Sequence, residues 1–482
     1  MKLRNINLKA TYKGLILFII SLFVVSLSLK TGMFWDNVLF GSEMGNPLFQ
    51  NGIFKWNSIP LNSDAGHPPF LATLLATGWT LFGKSLTTSH LIMFPFVFGL
   101  LWQLSCFVDF FVKEKTLKIW TFILVISDPT LLSQFVLVNP EIIQLFFFFL
   151  ALNAILRNNI YLKIIGLAFL GIVTYRGMML CGGIFIIDVL IHTLIKKRKI
   201  ITFFSKRVFL TYSIAAIPAC LYLIWRIINK GWVISHPLEI WGNAWEFSSI
   251  QDFLINFGRN ILVLGHQFTD FGRIILTLFI LITFYIKRKQ IDWKKYNYLL
   301  VIAIFSTIVI YFTSLLIKNT MGHRYYITSY LSFGLLSFLL IKEYRMKKFV
   351  YIGLLVSLLL GNLVVYSDSF AQGWDSSLAH LPYWELRKKG IEYMDENELP
   401  IKETASFFPN STSIDNIDLN GDMRSFIKFT GKEKFVFYSN VYNLSDYNLE
   451  ILDKDYSTIK SYTKRNVRVQ LMKRNSNSSQ HE

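Results

Sequence analysis

A chain of 482 residues that is 53% hydrophobic and 16% aromatic, with positive mean hydropathy, is far from the profile of a soluble domain and reads as an integral membrane protein. Its formal net charge of +18 would point to nucleic acid only if it were spread over a polar surface. Residues 368–482 hold 15 Lys and Arg against 17 Asp and Glu, so the excess lies entirely in the membrane part and a nucleic-acid partner is excluded.

Eleven apolar runs approach the length needed to cross a bilayer: 14–33, 88–112, 118–137, 141–156, 160–175, 178–195, 208–228, 267–286, 297–317, 325–341 and 349–366. Runs 141–156 and 160–175 are short, and are expected to tilt or to be shielded by neighbours. Basic residues concentrate in loops 2–13, 113–118, 157–163, 196–207, 287–295 and 342–348, which alternate along the chain as cytoplasmic loops must under the positive-inside rule. The N-terminus is then cytoplasmic and the tail after the last run extracytoplasmic. The first run follows a basic stretch and lacks a small-residue cleavage site, so it reads as an uncleaved signal anchor. Cys106, Cys181 and Cys220 all fall inside apolar runs and read as small buried hydrophobes, with no disulfide or thiolate metal site.

The first outer loop, 34–87, is the most informative stretch. Asp36 lies just past the end of the first span, in the interface, where a charge is costly and usually functional. Asp64 follows, then the turn His67-Pro68-Pro69, in which each proline removes a donor and restricts its predecessor. His67 reads first as fixing that turn. An apolar helix over 70–82, ended by Gly83, is too short to span and is expected along the outer interface.

Further on, Glu141 opens a helix after Asn139-Pro140, and an acid in a first helical turn has a structural reason to be there as well as a catalytic one. Arg176 sits at the outer end of the fifth run, either snorkelling to headgroups or binding a lipid phosphate. Aromatic residues crowd the loop 229–266, including Trp232, Trp241 and Trp245, as interfacial anchors do. Arg273 begins the eighth run, and 318–326 forms a basic cluster containing His323 and Arg324. The segment 368–482 changes character: 383–397 reads as an amphipathic helix, and 434–438 and 467–472 as strands. The fold class expected is an all-α polytopic membrane protein (1–367) with a small α+β extracytoplasmic domain (368–482). Sequons at Asn410, Asn443 and Asn477 matter only in a cell that glycosylates them.

The outer face thus collects carboxylates at Asp36, Asp64 and Glu141 with cations at Arg176, Arg273, His323 and Arg324. A carboxylate can take the proton of an attacking hydroxyl, while guanidinium groups hold a departing phosphate. That division of labour suits transfer of a sugar from a lipid phosphate.

The order Phe34-Trp35-Asp36, His-Pro-Pro turn, then FLATLLATGWTLFG resembles the membrane glycosyltransferases of the GT-C class. It is most similar to the protein O-mannosyltransferase and aminoarabinose transferase branch, over roughly residues 15–180, with a further echo at His323-Arg324-Tyr325. The resemblance implies a catalytic acid at Asp36, a second acidic motif at Glu141, and polyprenyl-phosphate binding by Arg176, Arg273 and Arg324. Asp64, His67 and His323 join these as substrate-binding candidates. Where the family carries a second acid after the first, this chain has Asn37. The same resemblance implies a polyprenyl-phosphate sugar donor, inversion at the anomeric carbon, and an outer acceptor that is a lipid, glycan or protein. Short loops, a compact outer tail and no retention signal favour a bacterial plasma membrane over the endoplasmic reticulum. No obligatory metal is expected, although Asp36, Asp64 and His67 offer oxygen and nitrogen ligands to a divalent cation. The competing readings are a flippase or transporter of lipid-linked sugars, and a catalytically inactive relative that binds lipid. A transporter would show related halves and polar residues midway through its spans, which this chain does not.

Overall fold

A computed structural model of the chain describes residues 8–234, 236–238, 245–318 and 321–476. Trp241, the 319–320 part of the basic cluster, the first basic residues and the Asn477 sequon lie outside these.

The membrane part is helical: α1 (Leu8–Ser28), α2 (Met44–Asn51), α3 (Phe70–Phe82), α4 (Leu86–Phe111), α5 (Lys115–Ile126), α6 (Pro129–Phe135), α7 (Pro140–Leu156), α8 (Ile160–Val173), α9 (Tyr175–Leu190), α10 (Lys206–Lys230), α11 (Ile250–Thr269), α12 (Arg273–Lys287), α13 (Asn297–Ser314), α14 (Ile327–Ile341) and α15 (Lys347–Gly361). Helix starts follow the sequence's capping residues. Ser85 caps α4 by accepting from Thr88 N at 3.1 Å, Asn139 caps α7 through Ile142 N at 3.0 Å, and Thr174 caps α9 through Gly177 N at 3.0 Å.

Among the described residues, six helices are long and apolar enough to cross a membrane, or up to eight if each of two bent pairs counts as one span. Each of the eleven apolar runs contains a helix, but not every one is a single uninterrupted helix of spanning length. Two of the runs are broken. Between α5 and α6 the chain turns by 77° at Ser127-Asp128-Pro129, because proline cannot donate to the preceding turn and Asp128 caps the new helix. Between α11 and α12 it turns by 98°. Phe271 and Gly272 there adopt φ of 48° and 79°, and a Cβ on Gly272 would come 1.9 Å from the Ser357 carbonyl oxygen. Only glycine accepts both the left-handed backbone and that approach. Helix α11 occupies the loop read only as an aromatic anchor region.

Three more runs form shorter helices. At 17 residues, α7 rises roughly 25 Å, less than a full hydrocarbon core. It need not face lipid, since every residue but Phe146 is buried by neighbours, chiefly α4 and α8. Helix α14 is buried likewise except at Phe333. Helices apolar all round and enclosed in this way form the centre of the bundle. Large apolar side chains of α1, α10 and α12, such as Phe23, Leu221 and Phe284, lie on its exterior, where lipid replaces water as their solvent. Cys220 is exposed on the same exterior rather than buried, and Cys106 and Cys181 are half-buried.

After α15 the chain forms a compact polar unit with α16 (Pro382–Glu396), α17 (Ile414–Asp418) and α18 (Asp446–Asp455) around five strands: β1 (Thr404–Ser406), β2 (Ile427–Lys428), β3 (Phe435–Ser439), β4 (Tyr456–Lys464) and β5 (Val467–Arg474). The strand order is β2-β1-β3-β5-β4, parallel from β2 to β3 and antiparallel from β3 to β4. Gly390 lets α16 close onto the sheet, since a Cβ there would sit 2.7 Å from the Phe437 ring. The expected helix and two strands are α16, β3 and β5; β1, β2 and β4 are additional. Asn410 is fully buried and bonded to Arg387, so the folded chain does not present that sequon.

This unit rests on the loop that follows α1. Met33 N donates to Ile417 O at 2.9 Å, Asn46 Nδ2 to Asn416 Oδ1 at 2.7 Å, Thr412 Oγ1 to Glu43 Oε1 at 2.9 Å, and Lys84 pairs with Asp415. Phe34 is fully buried among His380, Tyr383 and Trp384, which anchors the chain two residues before Asp36.

Candidate active site

Apart from His323, the groups singled out in the sequence fall into three separate clusters. The first is built around Arg324. Its guanidinium pairs with Asp36 and with Asp375, and its Nε lies 3.4 Å from Glu141 Oε1. That same oxygen accepts from Arg176 at 2.9 Å. The Arg176 guanidinium lies 3.6 Å over the Tyr325 ring, and Arg324 approaches the same ring at 5.3 Å.

Five chain segments bring these groups together. Asp36 follows Trp35, which holds a left-handed φ of 49°. Such strain in a bulky residue costs on the order of 1–3 kcal/mol and is retained where the surroundings fix it. Glu141 comes from the first turn of α7, Arg176 from the first turn of α9, and Arg324 from the turn before α14. Asp375 comes from the segment just after the last membrane helix. Sequence reasoning passed over Asp375, because nothing local marks one acid in a polar segment as the partner of an arginine 51 residues away.

Accessibility ranks these acids. The Asp36 side chain is 34% exposed, against 3% for Glu141 and 13% for Asp375. Glu141 Oε2 is buried without a hydrogen-bond partner, as are Trp35 Nε1 and Asn37 Oδ1. Polar atoms left open in a buried setting require a reason such as a bound group. Asp36 is thus the acid that a bound molecule can reach.

His67 adjoins this cluster. Its Nδ1 accepts from Tyr175 N at 3.3 Å, tying the His-Pro-Pro turn to the start of α9 one residue before Arg176. Burial, reinforced by the Arg176 charge, pushes its imidazole down to about 4, so the ring is neutral at physiological pH and keeps its proton on Nε2.

The second cluster holds Asp64. Its carboxylate receives Arg226 at 3.1 Å and Lys230 at 3.5 Å, both from the end of α10, while the Asp64 carbonyl contacts His236 Nε2 at 3.0 Å. Arg226 also lies 3.9 Å over the Trp232 ring. This buried pair clamps the first loop to α10. Asp36, Asp64 and His67 each point to a different partner, so they do not converge on one cation.

The third cluster holds Arg273, which donates from Nε and Nη2 to both oxygens of Asp128, at 2.9 and 2.8 Å, and lies 3.9 Å over Tyr330. Both side chains are under 10% exposed. Arg273 holds the α5–α6 break against α12 through Nε and Nη2, and its hydrogen-bond partners among the described residues do not include the Arg324 cluster. His323 turns away from Arg324 as well, toward Asp270 at 3.0 Å.

No family model matches the sequence, and no curated protein matches it. Solved structures do. The crystal structure of ArnT from Cupriavidus metallidurans bound to undecaprenyl phosphate superposes with a TM-score of 0.52 at 11% identity, covering 95% of this chain and 97% of that one. Its apo state gives a TM-score of 0.53, again at 11% identity, with 96% and 98% covered. This chain has the GT-C fold of ArnT. It is a multi-pass membrane protein, and the likeness runs through the sheet-bearing C-terminal part as well as the helices. Within this ArnT-like fold the acid following α1 and the acid opening α7 meet across one arginine. Sequence distance alone had left them as two separate motifs.

Proposed function

We propose that this chain is a membrane glycosyltransferase that moves a sugar from a polyprenyl-phosphate donor to an acceptor hydroxyl at the extracytoplasmic face. The observation that carries the reading is the Asp36–Arg324–Glu141–Arg176 cluster, an accessible carboxylate paired with one guanidinium group, to which a second is joined through Glu141. A GT-C fold shared with a protein crystallised with undecaprenyl phosphate supports the same donor class.

The proposed reaction uses exchange of ion-pair partners. The donor phosphodiester is anionic and competes with Asp36 for Arg324, since Asp36 is the most exposed of that arginine's three carboxylates. Arg176 spends one N–H on Glu141 and has others for phosphate oxygens. Released from Arg324, the Asp36 carboxylate accepts the proton of the acceptor hydroxyl as its oxygen attacks the anomeric carbon from the side opposite the phosphate. The bond from C1 to the phosphate oxygen breaks with inversion, and polyprenyl phosphate leaves with an additional negative charge facing Arg176 and Arg324. Glu141 holds both arginines in place. Glycosyl transfer through an oxocarbenium-like centre benefits from nearby carboxylates in general. Arg273 and Asp64 have structural roles in this scheme, and His67 sets the turn that places Arg176.

The acceptor is a lipid, glycan or protein in a bacterial plasma membrane, with the N-terminus cytoplasmic, and no cation takes part in the chemical step. The test is release of free polyprenyl phosphate, read by mass spectrometry, when purified protein is given lipid extract from its host with Asp36→Asn in parallel. Release by the wild type alone supports the proposal. Equal release by both variants would refute the role of Asp36, and release by neither, with candidate acceptors present, would refute the reaction.

A further inference from the structure

Beside the Arg324 cluster, and separate from it, three ligand-bearing side chains converge. His266 lies in the last turn of α11, Asp270 occupies the bend between α11 and α12, and His323 immediately precedes Arg324. Their ligating atoms all lie within 4.8 Å of one another. His323 Nε2 is 3.0 Å from Asp270 Oδ2, and His266 Nδ1 is 3.6 Å from the same oxygen.

We propose that His266, Asp270 and His323 bind one divalent cation of the zinc type. Ligands at about 2.0–2.1 Å around a tetrahedral zinc ion sit roughly 3.3 Å apart, and the two shorter separations here bracket that spacing. An ordinary ion pair would explain Asp270 and His323 less well. Although these atoms are 3.0 Å apart, neither has a hydrogen-bond partner, and both are buried. Two polar atoms that approach closely without sharing a well-directed proton are aimed at a common point.

The surroundings orient the ligands. Asp270 Oδ1 is occupied by the Tyr366 hydroxyl and by Phe271 N at 2.7 Å, which leaves Oδ2 facing the histidines. His323 is backed by Gly373, where a Cβ would come 3.0 Å from Nδ1. Second contacts of this kind fix ligand orientation in metal sites. His266 is about half exposed and gives the cation a route from solvent, with the fourth position open to water. Two imidazoles and one carboxylate suit zinc better than the hard, oxygen-bound magnesium or calcium. The bound ion would join the α11–α12 bend to the residues next to Arg324, and so steady the loop that carries that arginine. The role is positioning.

The test uses the full-length, tag-free protein in detergent, stripped of metal and titrated with Co²⁺ while visible absorption is recorded. The result expected is one equivalent bound with the intense bands of a tetrahedral ion, displaced by Zn²⁺. His266→Gln removes an exposed ligand without opening the core and is expected to weaken binding at least tenfold. His323→Gln is expected to abolish it, and His192→Gln, remote from the site, to leave it unchanged. Absence of saturable binding, or equal affinity in wild type and His266→Gln, would overturn the proposal. These readouts are independent of glycosyl transfer, so they stand or fall separately from the function proposed above.

Discussion

Replacing Asp36 by Asn tests the proposed chemistry while leaving the fold almost untouched. The side chain keeps its size and loses only its charge and its ability to take a proton. Because about a third of the carboxylate is exposed, its pairing with Arg324 resembles a surface ion pair, worth about 0–1 kcal/mol. Arg324 also keeps Asp375 and Glu141, so no buried charge is stranded. The thermal midpoint in detergent should therefore move by no more than a few degrees. Catalysis should respond quite differently. Loss of a positioned general base typically costs 10²–10⁴-fold, or roughly 3–5 kcal/mol of transition-state stabilisation. The assay is initial rate of polyprenyl-phosphate release at saturating donor, beside a melting curve on the same preparation. A variant that retains more than a tenth of the wild-type rate would refute the assignment of Asp36 as base. A variant that loses both rate and midpoint would show that Asp36 holds the fold instead.

The Arg273–Asp128 pair should behave in the opposite way. Lysine cannot reproduce its bidentate geometry, and breaking a buried pair costs about 3–5 kcal/mol, so Arg273→Lys should lower the thermal midpoint markedly while KM for donor stays near that of the wild type in whatever fraction remains folded. A raised KM at unchanged midpoint would place Arg273 on the phosphate after all. Asp375→Asn should lower kcat at least tenfold by loosening Arg324, and the added carboxylate of Asp375→Glu should restore part of it; equal rates in both variants would remove the C-terminal segment from the site. Acid should also destabilise the fold. Burial holds His380 down at about 4, below its unfolded value near 6.5, so the unfolded chain binds more protons between those limits and stability falls as pH drops through that window. By pH 5 the loss from His380 is roughly 2 kcal/mol, with a smaller share from the half-buried His67, and His380→Gln should flatten the midpoint–pH curve over this range if it folds. A curve of unchanged slope would assign the acid sensitivity to other groups.

Several features were legible because they depend on local chemistry. The apolar runs, the helix over Phe70–Phe82 with its stop at Gly83, the helix start at Asn139-Pro140, and the amphipathic helix α16 all follow from side chains a few residues apart. The breaks at Asp128-Pro129 and at Phe271-Gly272 were harder to see. Hydropathy averaged over a window counts an interrupted run as a span, and it does not register the backbone conformation that a single glycine allows.

The roles of the charged residues divide differently. Their types and rough positions, and the likeness in order of acid, Pro-Pro turn and helix, could be read from the sequence alone. Which acid meets which base could not, because an arginine carries the same chemistry whether it faces a substrate or a buried aspartate. Arg273, Asp64 and His323 looked equivalent to Arg176 and Arg324 until Asp128, Arg226 and Asp270 were found against them. Asp36, Glu141, Arg324 and Asp375 come from four distant segments, and only the packing of the bundle against the C-terminal sheet unit brings them into one cluster. Composition and order therefore determined the membrane character and the candidate groups. Tertiary contact decided their partners, because the strength of an electrostatic pair depends on separation and burial in space, and the chain's linear order specifies neither.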